Sequence, residues 1–169
     1  EFKPQRLPGV AFKDYTFPQP ADFAYFAGQG MNVVRLPFLW ERLQPALMAD
    51  LDKRQLLLLT KTVEAAKHHH LSIILDVHNY GRYRGKEIGS TDVPDAAFAD
   101  FWTRLAKVFA NDSNVIFGLM NEPAAIPASR WAESAKAGID AIRNTGAKNL
   151  VLVPGTYYSG AHSWRTALH

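Results

Sequence analysis

Short apolar runs alternate with longer amphipathic stretches along the whole chain, and this alternation limits the possible folds more than any single residue does. Gly9-Val10-Ala11-Phe12 is the first short run. Pro20 to Ala27 follows, with Phe23 and Phe26 at helical spacing and glycines at 28 and 30, and reads as a short helix. Met31 to Leu36 reads as a strand stopped by Pro37, and Asp52 to His70 as a long helix with Leu56, Leu59, Val63 and Ala66 on one face. Leu71 to Val77 is a nearly continuous β-branched and aliphatic run of the kind buried on both faces of a parallel sheet. A polar loop from His78 to Asp92 separates it from a helix beginning at Pro94 and carrying Phe98, Phe101, Trp102, Leu105 and Phe109. A strand at 115–120, a helix at 128–144 and a strand at 149–153 complete five strands and four helices.

The strands begin near residues 9, 31, 71, 114 and 149, so one βα unit takes roughly 35 residues, against about 250 for a closed eight-stranded barrel. With 169 residues, the chain is either a five-stranded open sheet or the first part of a barrel. No G-x-G-x-x-G or P-loop follows a strand, which speaks against a nucleotide-binding doubly wound sheet. There is no internal repeat or linker, and a single domain over 1–169 is expected.

Composition excludes several classes of function. Nineteen Lys and Arg against sixteen Asp and Glu leave a net charge of only +3, and the basic residues are scattered, so no nucleic-acid partner is expected. No apolar run approaches the roughly 18 to 20 residues that span a bilayer, so no membrane partner is expected either, and the first residues do not form a secretory signal. The absence of cysteine removes thiolate metal sites and cysteine nucleophiles. His68-His69-His70 are consecutive, so on a helix their side chains point about 100° apart and do not converge on a metal. No metal or cofactor is expected.

Polar and aromatic residues gather where the strands end: Arg35, then His78, Asn79 and Tyr80, then Asn121 and Glu122, then Tyr157 and Tyr158. In α/β sheets and barrels that edge binds ligands, because the βα loops project from it together. Glu122 is the sharpest candidate: an apolar strand ends abruptly in an amide, a carboxyl and Pro123. A carboxyl at such a rim suits general acid chemistry.

The strings Gly30-Met31-Asn32-Val33-Val34-Arg35-Leu36-Pro37-Phe38-Leu39-Trp40-Glu41-Arg42-Leu43-Gln44-Pro45, Leu75-Asp76-Val77-His78-Asn79-Tyr80-Gly81-Arg82-Tyr83, Val115-Ile116-Phe117-Gly118-Leu119-Met120-Asn121-Glu122-Pro123 and Gly160-Ala161-His162-Ser163-Trp164 occur in this order. On them the chain resembles the endo-β-1,4-glucanases (cellulases) of glycoside hydrolase family five, particularly its subfamily five. The resemblance implies a (β/α)8 barrel of which this chain is the N-terminal portion, about five strands and four helices. It also implies a retaining enzyme that cuts internal bonds of β-1,4-glucan, the expected substrate and partner. Glu122 matches the family's acid/base, Asn121 the amide that binds the sugar 2-hydroxyl, Arg35 the arginine that steadies the nucleophile, and His78 a histidine of the central subsite. Asn79, Tyr80, Trp40 and Trp164 match substrate-cleft positions, with core packing as the alternative for the two tryptophans. Family likeness implies secretion.

The family's nucleophile is a glutamate at the end of strand seven, beyond the last residue, His169. A retaining mechanism needs two carboxyls about 5 to 5.5 Å apart. The chain is therefore read as truncated, with self-association into a homo-oligomer expected to cover the open sheet and bring a second carboxyl to Glu122. Glu87 is the internal residue to watch. A non-catalytic glucan-binding half-barrel is the alternative.

Overall fold

The structure is a computed structural model, and it describes residues 4–167. Its elements in chain order are α1 (Pro20–Gly28), β1 (Val33–Phe38), α2 (Trp40–Leu43), α3 (Lys53–His68), β2 (Ser72–Val77), β3 (Arg82–Tyr83), β4 (Lys86–Glu87), α4 (Asp95–Phe109), β5 (Val115–Gly118), α5 (Ala128–Asn144), β6 (Val151–Leu152), a 3₁₀ turn (Tyr157–Ser159) and α6 (Ala161–Ala167). The four helices expected from periodicity all form, α3 behind an Asp52 cap whose side chain accepts from Gln55 N at 2.8 Å.

β1, β2, β5 and β6 form one parallel sheet in that spatial order. Each strand lies beside the next one in the chain, with α3, α4 and α5 as successive crossovers. A doubly wound sheet would reverse its order at a switch point, so this arrangement is an arc of a (β/α)8 barrel. Register defines its two faces. Leu36, Leu75, Phe117 and Val151 align across the sheet and join the helices in the core, where Phe117 meets the Trp102 ring at 5.6 Å. The other face carries Arg35, Ile74 and Ile116 in one row and Pro37, Asp76, Gly118 and Leu152 in the next. That face is open: Val33 and Leu152 are each about two-fifths exposed.

Two expectations are corrected here. Gly9 to Phe12 is no sheet strand, because Asp14 ties the segment into a turn, its carboxylate accepting from Val10 N at 2.9 Å and its own N–H donating to Val10 O at 2.9 Å. Only an isolated bridge, Ala11 to Tyr15, remains, so the main sheet among the described residues has four strands. The loop after β2 contains a tight antiparallel hairpin, β3 and β4, and Tyr83 at its corner is buried and donates to Gln44 O at 2.9 Å.

Candidate active site

The site lies where β1, β2 and β5 end. Asp76 is the penultimate residue of β2 and faces the open side of the sheet, yet only 3% of it is exposed. A Cβ at Gly118 beside it would lie 3.1 to 3.3 Å from Ile74 and the β2 backbone, closer than an ordinary contact, so a larger residue there would press on its neighbours. Asp76 Oδ2 lies 3.0 Å from Arg35 Nη2 and 2.8 Å from His78 Nδ1. A carboxylate only accepts, so Nδ1 is the protonated nitrogen of His78 in its neutral form. Nε2 then accepts from the Tyr80 hydroxyl at 3.2 Å, with the two rings edge to face at 5.3 Å.

Arg35 also donates from Nη2 to Asn121 Oδ1 at 2.5 Å, which links β1 to the end of β5. The Asn121 N–H donates to Val77 O at 2.7 Å, so the residue before Glu122 is fixed by main chain and side chain together. Glu122 itself has φ +39°, in the left-handed region where a side chain is strained. It is half-buried, and among the described residues no donor is hydrogen-bonded to its carboxylate. The sharp turn lifts Glu122 off the strand and leaves its carboxyl free for a ligand.

The loop that carries Glu122 is braced from the β2 side. Gly81 has φ +74°, which favours glycine, and a Cβ there would meet Ile126 Cδ1 at 2.4 Å, so a side chain would force Ile126 to shift. Ile126 is buried in this contact.

The expected cleft residues divide. Arg35, His78, Tyr80 and Asn121 form one continuous polar chain through Asp76, with Glu122 directly after Asn121. Trp40 is corrected to a core residue: it is fully buried, with ring centroids at 4.8, 5.2 and 5.6 Å from Tyr83, Phe101 and Phe98, and its Nε1 donates to Gln44 Oε1 at 2.8 Å. Asn79 is buried behind the cleft. Its Oδ1 accepts from Trp40 N at 2.8 Å and its Nδ2 donates to Glu41 Oε2 at 2.6 Å. Trp164 lies in α6 against Gly155, where a Cβ would come within 2.5 Å of its ring, and no hydrogen bond or ring contact among the described residues joins it to the polar chain.

Sequence reasoning did not assign Asp76 to the site, although a single one of its oxygens serves both Arg35 and His78. It also missed Glu41, which is buried, accepts from Asn79 and takes the Arg84 N–H at 2.5 Å. The other carboxyls at this end are engaged too: Glu87 pairs with Arg82 at 3.7 Å and Asp92 with Lys86 at 3.3 Å. Among the described residues at this end of the sheet, Glu122 is thus the carboxyl without an internal partner. Among the described residues, no three His, Asp or Glu side chains are grouped to hold a metal ion.

The described residues thus form an arc of a (β/α)8 barrel, with an Asn-Glu pair at the end of one strand and an Arg-Asp-His chain beside it. The family described as Cellulase (glycosyl hydrolase family 5) matches residues 1–167. The chain belongs to that family. Among curated proteins it is similar to "Manganese dependent endoglucanase Eg5A" of Phanerodontia chrysosporium, 38% identical over 152 residues, covering 88% of this chain and 39% of that protein. Among solved structures it is similar to a triple variant of the endo-β-1,4-glucanase Xac0030 of Xanthomonas axonopodis pv. citri, with 59% identity and a TM-score of 0.95, covering 98% of this chain and 52% of that one. It is also similar to Pseudomonas stutzeri endoglucanase Cel5A in complex with cellobiose, with 38% identity and a TM-score of 0.94, covering 98% and 50%. The chain thus spans about half the length of the relatives it matches.

Proposed function

We propose that this chain is the acid/base half of a retaining endo-β-1,4-glucanase acting on cellulose-like glucans, with Glu122 as the proton donor to the leaving oxygen. The observation that carries this reading is the free carboxyl of Glu122 beside a fixed polar chain of Asn121, Arg35, Asp76 and His78. In this reading Asn121 contacts the sugar 2-hydroxyl, and Arg35, held by Asp76, presents its charge to the second carboxylate. Tyr80, two-fifths exposed beside His78, offers its ring to a sugar face. The relatives named as endoglucanases and the structure holding cellobiose support β-1,4-glucan as the substrate class, and the family supports secretion. Among the described residues no helix is long and apolar enough to cross a membrane.

The nucleophile in this reading comes from a second copy of the chain. Support comes from the open face of the sheet, where Val33 and Leu152 are exposed and Ile74 and Ile116 half-buried, and from β1 and β6, whose outer edges are unpaired among the described residues. Such a face and such edges favour association. Specific activity on soluble glucan, measured across a dilution series with mass recorded by light scattering, is expected to rise with the associated fraction and to fall in Leu152→Asp. Full activity at monomer mass would contradict it. Glucan binding without hydrolysis at any mass would favour the binding-module reading, for which the engagement of every neighbouring carboxyl is the specific support.

A further inference from the structure

Beside the polar chain runs an open groove walled by Leu39, His78, Tyr80, Arg82 and Arg84, with Glu41 beneath it. The charges in it are unevenly matched. Arg82 faces Glu87 at 3.7 Å, and the neighbouring Lys86 faces Asp92 at 3.3 Å. Glu41 is taken up by the Asn79 amide and the Arg84 main-chain N–H. The Arg84 guanidinium is exposed, donates from Nη2 to Pro45 O at 2.9 Å and lies 5.8 Å from the Tyr83 ring centroid, and among the described residues it has no carboxylate partner. Arg84 thus lines the groove with guanidinium donors left over beyond its bond to Pro45 O.

We propose that this groove selects glucan chains bearing carboxylate substituents, with Arg84 as the residue that pairs with them; the proposal rests on the reading that the groove holds a glucan. A neutral β-1,4-glucan offers the guanidinium only hydroxyls, whereas a carboxylate matches its planar fork with two parallel hydrogen bonds. Tyr80 and Leu39 supply the apolar wall for the sugar ring, and Arg82 adds positive potential while remaining tied to Glu87. The contact is solvent-exposed and works as a selectivity filter: exposed pairs of this kind change affinity by about two- to five-fold and are weakened by salt.

The test is retardation of the native 169-residue chain in gels containing carboxymethylcellulose or, separately, neutral hydroxyethylcellulose, at low and high salt. Expected is binding to both, stronger for the carboxylated polymer by about two- to five-fold at low salt, with the preference lost in Arg84→Gln, reduced in Arg84→Lys and kept in the remote control Lys61→Gln. Equal retardation by the two polymers would overturn the proposal and leave the glucan reading intact. Equal loss in Arg84→Gln and Lys61→Gln would overturn it by reducing the preference to net charge. Binding to neither polymer would overturn the proposal together with the glucan reading, and circular dichroism of each variant separates loss of fold from loss of contact.

Discussion

His78 Nδ1 and Arg35 Nη2 converge on a single oxygen of Asp76, at 2.8 and 3.0 Å, in a carboxylate almost wholly removed from solvent. One buried charge thereby sets the direction of two side chains that reach the site from adjacent strands. It also fixes which histidine nitrogen carries the proton.

Removing that hub is expected to cost stability and orientation together. Asp76→Ala leaves the His78 donor without an acceptor and should lower unfolding free energy by about 1 to 3 kcal/mol in urea titration. Asp76→Asn keeps an acceptor at the same place and should cost less. If both variants weakened glucan binding without any change in stability, Asp76 would be a ligand contact and no positioning residue.

Asn79 bridges Trp40 N and the buried Glu41 carboxylate, so Asn79→Ala should destabilise by about 1 to 3 kcal/mol by leaving both groups unsatisfied. Asn79→Asp sets a second carboxylate against Glu41 and should be worse at pH 7. Its excess penalty should shrink as the pH falls through the carboxylate range and one of the two takes a proton. Thermal melts at pH 7 and pH 4.5 on both variants check this ordering.

Trp40→Ala should act on the fold alone. A fully buried indole among Tyr83, Phe98 and Phe101 leaves a cavity costing about 3 to 5 kcal/mol. Trp40→Phe should recover most of the stability, and its glucan affinity should equal that of the wild type. A folded Trp40→Phe with weakened glucan affinity would return Trp40 to the cleft.

Burial pushes the Tyr83 phenol above its ordinary pKa of 10.0, opposed more weakly by the neighbouring Arg84. The folded state holds the proton that the unfolded chain gives up, so the contribution of Tyr83 is full below pH 10 and is lost as pH rises from there through the folded value. Tyr83→Phe is expected to flatten the decline in stability above pH 10 in urea titrations. An unchanged decline would assign it to other groups.

The helices and the strands β1, β2 and β5 were legible in the sequence because their apolar periods are long enough to separate 3.6 from 2. Gly9 to Phe12 was not, since four apolar residues carry little period and the deciding contact is the Asp14 carboxylate folding back on Val10. The hairpin of β3 and β4 hid inside a string of charges, its anchor being the buried Tyr83. At the site, His78, Asn121 and Glu122 follow the strand ends, and the Arg35 side chain reaches Asn121 and Asp76 from within β1. The depth of each residue was beyond sequence reasoning: Trp40 and Tyr80 look alike as loop aromatics, yet one meets three rings in the core and the other faces solvent. The double duty of Asp76 depends on β1 pairing in register 39 residues upstream, so that Arg35 lies one row from Asp76 on the same face, which no local string encodes.

The role of Glu122 is tested most directly by release of reducing ends from a soluble β-1,4-glucan, run with the wild type and Glu122→Gln at equal mass by light scattering. Glu122 makes no hydrogen bond within the described chain, so the variant should match the wild type in stability to within about 0.5 kcal/mol. Hydrolysis by the wild type and its loss in Glu122→Gln, with glucan binding kept, is the predicted result. Equal hydrolysis by the two proteins would contradict the assignment of Glu122 as the acid/base.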